Sequence, residues 1–424
     1  MTIAALAQAT ILVDVQFYDA MEKMKLLRYH TAPVLEALVA KPAEIPKAEF
    51  LSYYLFHRIK LGQPGYQDYR SVGEKLHLWL SAIGECIDCQ GDTLRRPEGA
   101  VRQLTEVSEH VGEAIGLAVM NRVHNLTEAD WLPIPESRGR GAPPSFDFQI
   151  ASDGESFVQV ETKGSSVEDN RQLSSVVAAQ KRKIDEKKAK LIALAKQGKD
   201  PHPSSLRYGT ITVVDGRKAG NVRCLLTDPP PDQVDEDPRR FRLLNRVRHL
   251  RDWISFISPR SSVAAALATR VADMEVMENP FELNGEPLRR GNGRLFGFES
   301  FNFITRRHST FMMSKSRVTD GPAGGVVLQV SAKELLFLGI REELLLLASA
   351  QEFDEIMRYK AEVGSLQKTV ECTFSVGRFN ELNLPSSIEQ SAIQIGGYFH
   401  FRLEGTLNYS PEGLVFGILP LPEK

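Results

Sequence analysis

The chain has 424 residues. At about 150 residues per domain this length points to two or three domains and excludes a single small stapled module. Hydrophobic residues make up 42% and charged residues 25%, a globular composition that excludes a disordered or fibrous chain. With 52 Lys+Arg against 54 Asp+Glu the formal charge is -2, so any nucleic-acid partner has to meet a local basic patch rather than a whole-protein field.

The N-terminal stretch Ile3 to Val13 is apolar, but no Lys or Arg precedes it and Asp14 and Asp19 follow at once. That is a poor signal peptide, and four cysteines are too sparse for a disulfide framework. Both features predict a cytoplasmic protein. Cys86 and Cys89 form a C-x-x-C without a second ligand pair, which reads as two buried thiols on a helix sooner than as a zinc site. Phe50, Tyr53, Tyr54, His57 and Leu61 recur at helical spacing before the breaker Gly62-Gln63-Pro64-Gly65. Residues 1–98 are therefore expected to form a mainly helical N-terminal region.

The texture changes over residues 99–259. A helix from about Ala100 to Leu126 carries Leu104, Val107, Val111, Ile115, Ala118 and Val119 on one side. Glu106, Glu109 and Glu113 share a neighbouring stripe. A strand over Phe146–Ile150, the turn Ser152-Asp153-Gly154 and a strand over Phe157–Lys163 read as a hairpin. A charged helix from about Leu173 to Lys196 follows, then strands over Tyr208–Val214 and Val222–Leu226, an acidic Pro-rich loop, and a basic helix from Pro238 to about Ile257. This order is alternating α/β. Residues 260–424 read as a separate α+β domain of unknown role. Strand-like segments lie near Gly325–Val330, Thr373–Val376 and Tyr398–Leu403, with a Leu-rich helix near 333–360. Its run Leu335 to Leu347 is broken by Arg341, Glu342 and Glu343, so it cannot span a bilayer, and no membrane partner is expected.

One constellation carries chemistry. Asp147 sits in one strand of the hairpin and Glu161-Thr162-Lys163 ends the other. Side chains alternate along a strand, so Glu161 and Lys163 share a face while Thr162 points away. Two carboxylates about 4 Å apart repel by roughly 4 kcal/mol at an effective dielectric near 20, and they persist as anions only with a cation between them. Hard oxygen ligands favour Mg²⁺ or Mn²⁺, and such an ion suits phosphodiester hydrolysis. An isolated Glu-x-Lys on a strand is also the pattern of a solvent-facing ion pair worth at most about 1 kcal/mol. His110 and His124 on the acidic helix read as packing or surface residues.

Pro144-Ser145-Phe146-Asp147, then Val160-Glu161-Thr162-Lys163-Gly164, preceded by Glu113 in the helix, resemble the PD-(D/E)xK nuclease superfamily. The resemblance covers roughly residues 100 to 230. It implies a restriction-endonuclease-like core, a mixed sheet flanked by helices, set between the helical N-terminal region and the α+β C-terminal domain. It further implies that Asp147 and Glu161 bind the metal, that the Thr162 carbonyl joins them, and that Lys163 assists the attacking water. Glu113, with Glu109 as a close competitor, takes the place of the helix Glu found in many members. Ser145 and Phe146 stand between Pro144 and Asp147, where the literal motif has none.

Two basic stretches are candidates for the phosphate backbone. Lys181, Arg182 and Lys183, followed by Lys187, Lys188 and Lys190, lie on the charged helix. Arg239, Arg242, Arg246 and Arg248 lie around the later helix, opposite Leu243, Val247, Leu250 and Ile254. A solvated helix face is the plain alternative for both. The resemblance implies a Mg²⁺-dependent nuclease acting on DNA, with bacterial anti-phage defence as its context, a protein partner or regulator, and a homo-oligomer suited to cutting both strands. The rival expectation is a non-catalytic nucleic-acid-binding or assembly subunit that keeps the fold.

Overall fold

A computed structural model describes residues 10–57, 69–90, 92–98, 105–133, 149–167, 174–199, 204–217, 220–228, 237–257, 262–285, 315–318, 323–382 and 384–422. The chain divides into two compact units, Met1–Arg58 with Ser81–Arg242 and Ile59–Leu80 with Leu243–Lys424. Both units draw on the N-terminal third of the chain.

The first unit opens with β1 (Thr10–Phe17), α1 (Ala20–Leu26), α2 (Ala32–Ala40), β2 (Ala43–Pro46) and α3 (Lys47–Ser52), which continues as a wider turn over Tyr53–His57. Helices outweigh strands among the described residues of 1–98, and β1 is a strand within that mainly helical stretch. Ile11, Val13 and Val15 alternate inward with Leu12, Asp14 and Gln16 between them, the period-2 pattern of a half-buried strand. Phe50, Tyr53, Tyr54 and His57 are all buried, as their helical spacing requires. Helix α4 (Tyr69–Cys86) leads to the hairpin β3 (Asp88–Gln90) and β4 (Thr93–Arg95). Cys86 thus ends a helix while Cys89 lies in a strand, and both are free thiols.

Helix α5 (Thr105–His124) is followed by the short strand β5 (Leu132–Pro133), β6 (Gln149–Ser152), β7 (Phe157–Val167), helix α6 (Ser175–Ala195), β8 (Leu206–Asp215) and β9 (Val222–Thr227). Seven of these strands form one mixed sheet in the order β2-β1-β9-β8-β7-β6-β5. The β5-β6-β7 run is antiparallel, the crossover through α6 makes β7 and β8 parallel, and β1 runs parallel to β9. The first two strands of the chain therefore complete the sheet that holds the Glu161 motif.

Two glycines set how α5 meets this sheet. A methyl group on Gly164 of β7 would overlap the Ser108 carbonyl oxygen of α5, and one on Gly112 of α5 would overlap the Lys163–Gly164 backbone. Helix and strand thus approach backbone to backbone. From His110 to Asn121 every residue of α5 is buried. The apolar stripe expected of an amphipathic helix is replaced by burial all round, as a helix packed on both sides requires. On the other face of the sheet Ile184 of α6 sits over Gly209 of β8, and Val167, Val177, Ile184, Ile211, Val213 and Leu225 form the core beneath that helix.

Helix α7 (Pro238–Ile257), whose range matches the sequence expectation, carries the unit boundary, and α8 (Ser262–Val276) follows it. The second unit continues with β10 (Lys315–Val318), β11 (Ala323–Ser331), β12 (Glu334–Arg341), α9 (Glu342–Ala350), α10 (Phe353–Arg358) and β13 (Gly364–Ser375). Helices α11 (Val376–Glu381) and α12 (Ser386–Ser391) precede β14 (Ile393–Ile395), β15 (Tyr398–Tyr409) and β16 (Leu414–Pro420). The order β13-β10-β11-β12-β16-β15, with β13 also pairing β15, closes six antiparallel strands on themselves. Val327, Phe337, Val370, Phe374, Phe401 and Leu403 are among the side chains that pack this unit's core. The expected Leu-rich helix near 333–360 is corrected: Glu334–Arg341 is a strand and the helix starts at Glu342. Its six central residues are all buried, so the alternation that marks a strand is absent.

Lys47, the first residue of α3, is only 2% exposed. Burial pushes its ammonium down to about 8 from an ordinary 10.5, against an upward pull from Cys89. The unfolded chain holds this proton more tightly, so the buried charge weakens the fold fully below pH 8 and is relieved as pH rises toward 10.5. Replacing Lys47 with Met is expected to raise stability at pH 7 by about 1–3 kcal/mol. The wild-type deficit relative to this variant should shrink between pH 8 and 10.5 in urea melts, and a pH-independent difference would refute the assignment. Gly164→Ala is expected to destabilise by about 2–3 kcal/mol in the same assay, because α5 must lift off β7.

Candidate functional site

The Glu161 motif sits in the interior of the first sheet. Strand β7 continues to Val167 rather than ending at Lys163, and its parallel register with β8 sets Glu161 beside Gly209, Thr162 beside Thr210 and Lys163 beside Ile211. Thr162 and Thr210 face α5, where a methyl group at Gly116 would press on both side chains. Alternation then turns Glu161 and Lys163 to the α6 face. The pairing of faces expected from the sequence is what forms.

Glu161 is 0% exposed. Its Oε1 receives Lys163 Nζ at 2.6 Å and Lys187 Nζ at 2.9 Å. Lys163 comes from the same strand, two residues on, whereas Lys187 descends from α6. Lys187 appeared in the sequence only as one of a row of basic residues. No local signal distinguishes it, since the side of α6 that meets β7 is fixed by packing alone.

The remaining residues that the sequence assigns to a metal site are placed as follows. Glu113 follows Gly112 on α5 and is 5% exposed, on the helix that covers the Thr162 face. Its competitor Glu109 is exposed. Thr162 is buried, and its Oγ1 finds no hydrogen-bond partner. Asp147 lies outside the described residues. Among the described residues no group of three or more His, Cys, Asp and Glu side chains is arranged to hold a metal ion. What they offer such an ion is oxygen: the Glu161 carboxylate and the Thr162 carbonyl, two of the six donors Mg²⁺ takes. The buried carboxylate fits a hard divalent ion in donor type, while the two ammonium groups on its oxygen already meet its charge.

The hairpin that carries the motif is anchored at its turn. Asp153 Oδ1 accepts the Glu155 and Ser156 N–H groups at 2.9 and 2.7 Å, and Gly154 takes φ +97°, as a tight turn of this sequence requires. Asp153 Oδ2 lies 3.0 Å from His124 Nδ1, and His124 Nε2 lies 3.1 Å from the Tyr208 hydroxyl. Burial pushes the Asp153 carboxyl up, but the hydrogen bonds from His124 and the two N–H groups outweigh it and hold the group below its ordinary value. His124, read as a lone histidine, is the link between α5, the turn and β8.

The basic patches divide by orientation. Arg242 is 9% exposed, and its Nε donates to Asp130 Oδ1 at 3.0 Å while Nη1 and Nη2 donate to the carbonyls of Asp153 and Asn125. Arg246 is buried and donates to the carbonyls of Ile356 and Tyr359, each at 2.9 Å. The expectation that both face phosphates is corrected: their donors are spent inside the protein. Lys181 is also turned inward. It pairs with Asp185 at 2.5 Å and with Glu22 at 3.3 Å. Burial pushes its ammonium down, yet Asp185 and Glu22 raise it above its ordinary value. Glu22 in turn accepts Lys25 and the Asp228 N–H. Arg182 and Lys183 remain exposed on α6, as does Lys190, with Arg182 reaching Glu186 at 3.8 Å.

Comparison with protein-family models, with curated proteins and with solved structures finds no significant match to this chain. Among the described residues no helix is long and apolar enough to cross a membrane.

Arg242→Ala should cost about 3–5 kcal/mol, because it removes the ion-pair partner of Asp130, a fully buried carboxylate whose other oxygen accepts from Thr127. The same substitution should leave the salt dependence of any nucleic-acid retention unchanged, whereas Lys183→Ala should lower that slope by about one. Filter binding at several salt concentrations, with a urea melt of each variant, separates the two roles.

Proposed function

We propose that the first unit is a metal-dependent nuclease domain that hydrolyses phosphodiester bonds, with DNA as its substrate. The observation that carries this reading is the burial of Glu161 with two ammonium groups on one oxygen. A solvent-facing Glu-x-Lys pair would be exposed and weak. Removing a carboxylate from water costs several kcal/mol, which ion pairing at best recovers. Charged groups held at that cost cluster at functional sites. The order of parts supports the same reading: α5, the antiparallel β5-β6-β7 run, the α6 crossover and the parallel strand β8 follow the arrangement of a restriction-endonuclease-like core.

In this reading Glu161 and the Thr162 carbonyl hold Mg²⁺ or Mn²⁺, with Asp147 as the further acid of the motif, while Glu113, on the helix that covers the opposite face of β7, is left out of the ion's ligand set. An ion bound there supplies Lewis acidity, offsetting charge on the phosphate and acidifying water. Lys163 orients the attacking water and balances charge that grows on the phosphate oxygens. Arg182 and Lys183 hold the backbone of the nucleic acid. The defence context, a protein regulator and a homo-oligomer rest on the family resemblance alone.

A second reading is favoured by the same pairing. Glu161 already carries two cations, so a chain that kept this fold as a non-catalytic nucleic-acid-binding or assembly subunit would need no metal. Incubation with plasmid, linear and single-stranded DNA and with RNA, in Mg²⁺, Mn²⁺ or EDTA, decides between them. Cleavage that requires the ion and falls roughly 10²-fold or more in Asp147→Ala, Glu161→Gln and Lys163→Ala supports the nuclease, provided each variant melts cooperatively. Retention without cutting in any ion supports the binder, and undiminished cleavage in all three variants removes the site assignment.

A further inference from the structure

The second unit holds an arginine whose charge has no counter-ion. Arg341 ends β12, where its backbone N–H donates to the Gly413 carbonyl at 2.9 Å. Its guanidinium lies over the Tyr409 ring, 5.0 Å from the ring centre, and Nη2 donates to the Glu362 carbonyl at 2.5 Å. The Nε donor is buried with no hydrogen-bond partner, and so is the hydroxyl of Tyr409, a residue only 8% exposed. Glu343 and Glu412 are the carboxylates whose charges reach the neighbouring Tyr359. Among the described residues neither of them, nor any other carboxylate, forms an ion pair with Arg341.

Buried donors left unspent oppose folding, and folded proteins keep few of them. Here two belong to one stacked pair of side chains. Burial pushes the Tyr409 phenol up even against the pull of Arg341, so the hydroxyl keeps its proton and is able to donate it. Arg341 is only partly covered, which leaves a small ligand a way in from water. The group that satisfies a cation and two donors, while bringing no donor of its own, is an oxyanion. We propose that Arg341 and Tyr409 form a binding site for a small oxyanion, a phosphate or carboxylate group, beside the turn between β15 and β16. The Nε donor and the Tyr409 hydroxyl take its oxygens, and the guanidinium balances its charge. The Glu362 carbonyl and the Tyr409 ring hold the guanidinium in place from its edge and its face.

The test is titration calorimetry of the full-length protein with inorganic phosphate and, separately, with acetate, at matched ionic strength. The wild type should bind one of the two, with affinity lowered roughly tenfold or more in Arg341→Lys and in Tyr409→Phe. Arg341→Lys keeps the charge but lacks the Nε donor, so its loss of affinity reports the hydrogen bond and not the charge alone. Urea melts free of both anions give a second measurement. Tyr409→Phe should be no less stable than wild type there, because the hydroxyl has no protein partner to lose. A destabilised Tyr409→Phe overturns the proposal, as does binding of neither anion by the wild type. Equal affinity in all three proteins overturns it too, while a site that takes phosphate alone or acetate alone supports it and identifies the group.

Discussion

The close approach of α5 to β7 at Gly112 and Gly164 constrains the rest of the first unit. With no side chain on either residue the helix settles on the strand backbone, and Thr162 and Thr210 fill the space under Gly116. The α5 face of β7 is thereby closed. Side chains of opposite parity, Glu161 and Lys163, are left to the face that α6 covers, and there the carboxylate finds Lys187. A bulkier residue at either glycine would separate the layers and loosen the placement of the motif strand.

Charge in this unit is organised by sidedness rather than by amount. The α6 row looks uniform in sequence, but its members serve three purposes. Lys181 turns toward Glu22, Lys187 turns toward Glu161, and Arg182, Lys183 and Lys190 stay in water. Helical geometry produces the division, because residues one apart point about 100° away from each other. Lys188 belongs to the inward group as well: burial holds its ammonium below its ordinary value despite Glu22 and Asp228 nearby. The same rule governs α7, where Arg242 and Arg246 spend their fork of donors on carbonyls and Asp130. Five donors in a planar guanidinium suit such multi-carbonyl capture.

The second unit shows where local pattern misleads. Its strand Glu334–Arg341 lies in the closed antiparallel set between β11 and β16, and every residue from Leu335 to Ile340 is buried. A strand covered on both faces loses its alternation, and its Leu content then resembles that of a buried helix. Strand β1 is the opposite case: its alternation of Ile11, Val13 and Val15 is present in the sequence, within a stretch that is otherwise mainly helical.

The sequence by itself determined the elements whose signals are local. These are the Asp153-Gly154 turn, the extents of α6 and α7 to within a few residues, and the shared face of Glu161 and Lys163, which strand alternation alone guarantees. It also singled out the Glu-x-Lys pair as chemistry worth testing. Tertiary structure alone decided which charges are buried. The partner of Glu161 on α6, the link from His124 to Asp153 and Tyr208, and the inward fate of Arg242, Arg246 and Lys181 all join residues far apart in the chain. Those pairings follow from how helices settle on a sheet and from which polar groups must then be satisfied in the absence of water, and no spacing along the chain encodes that.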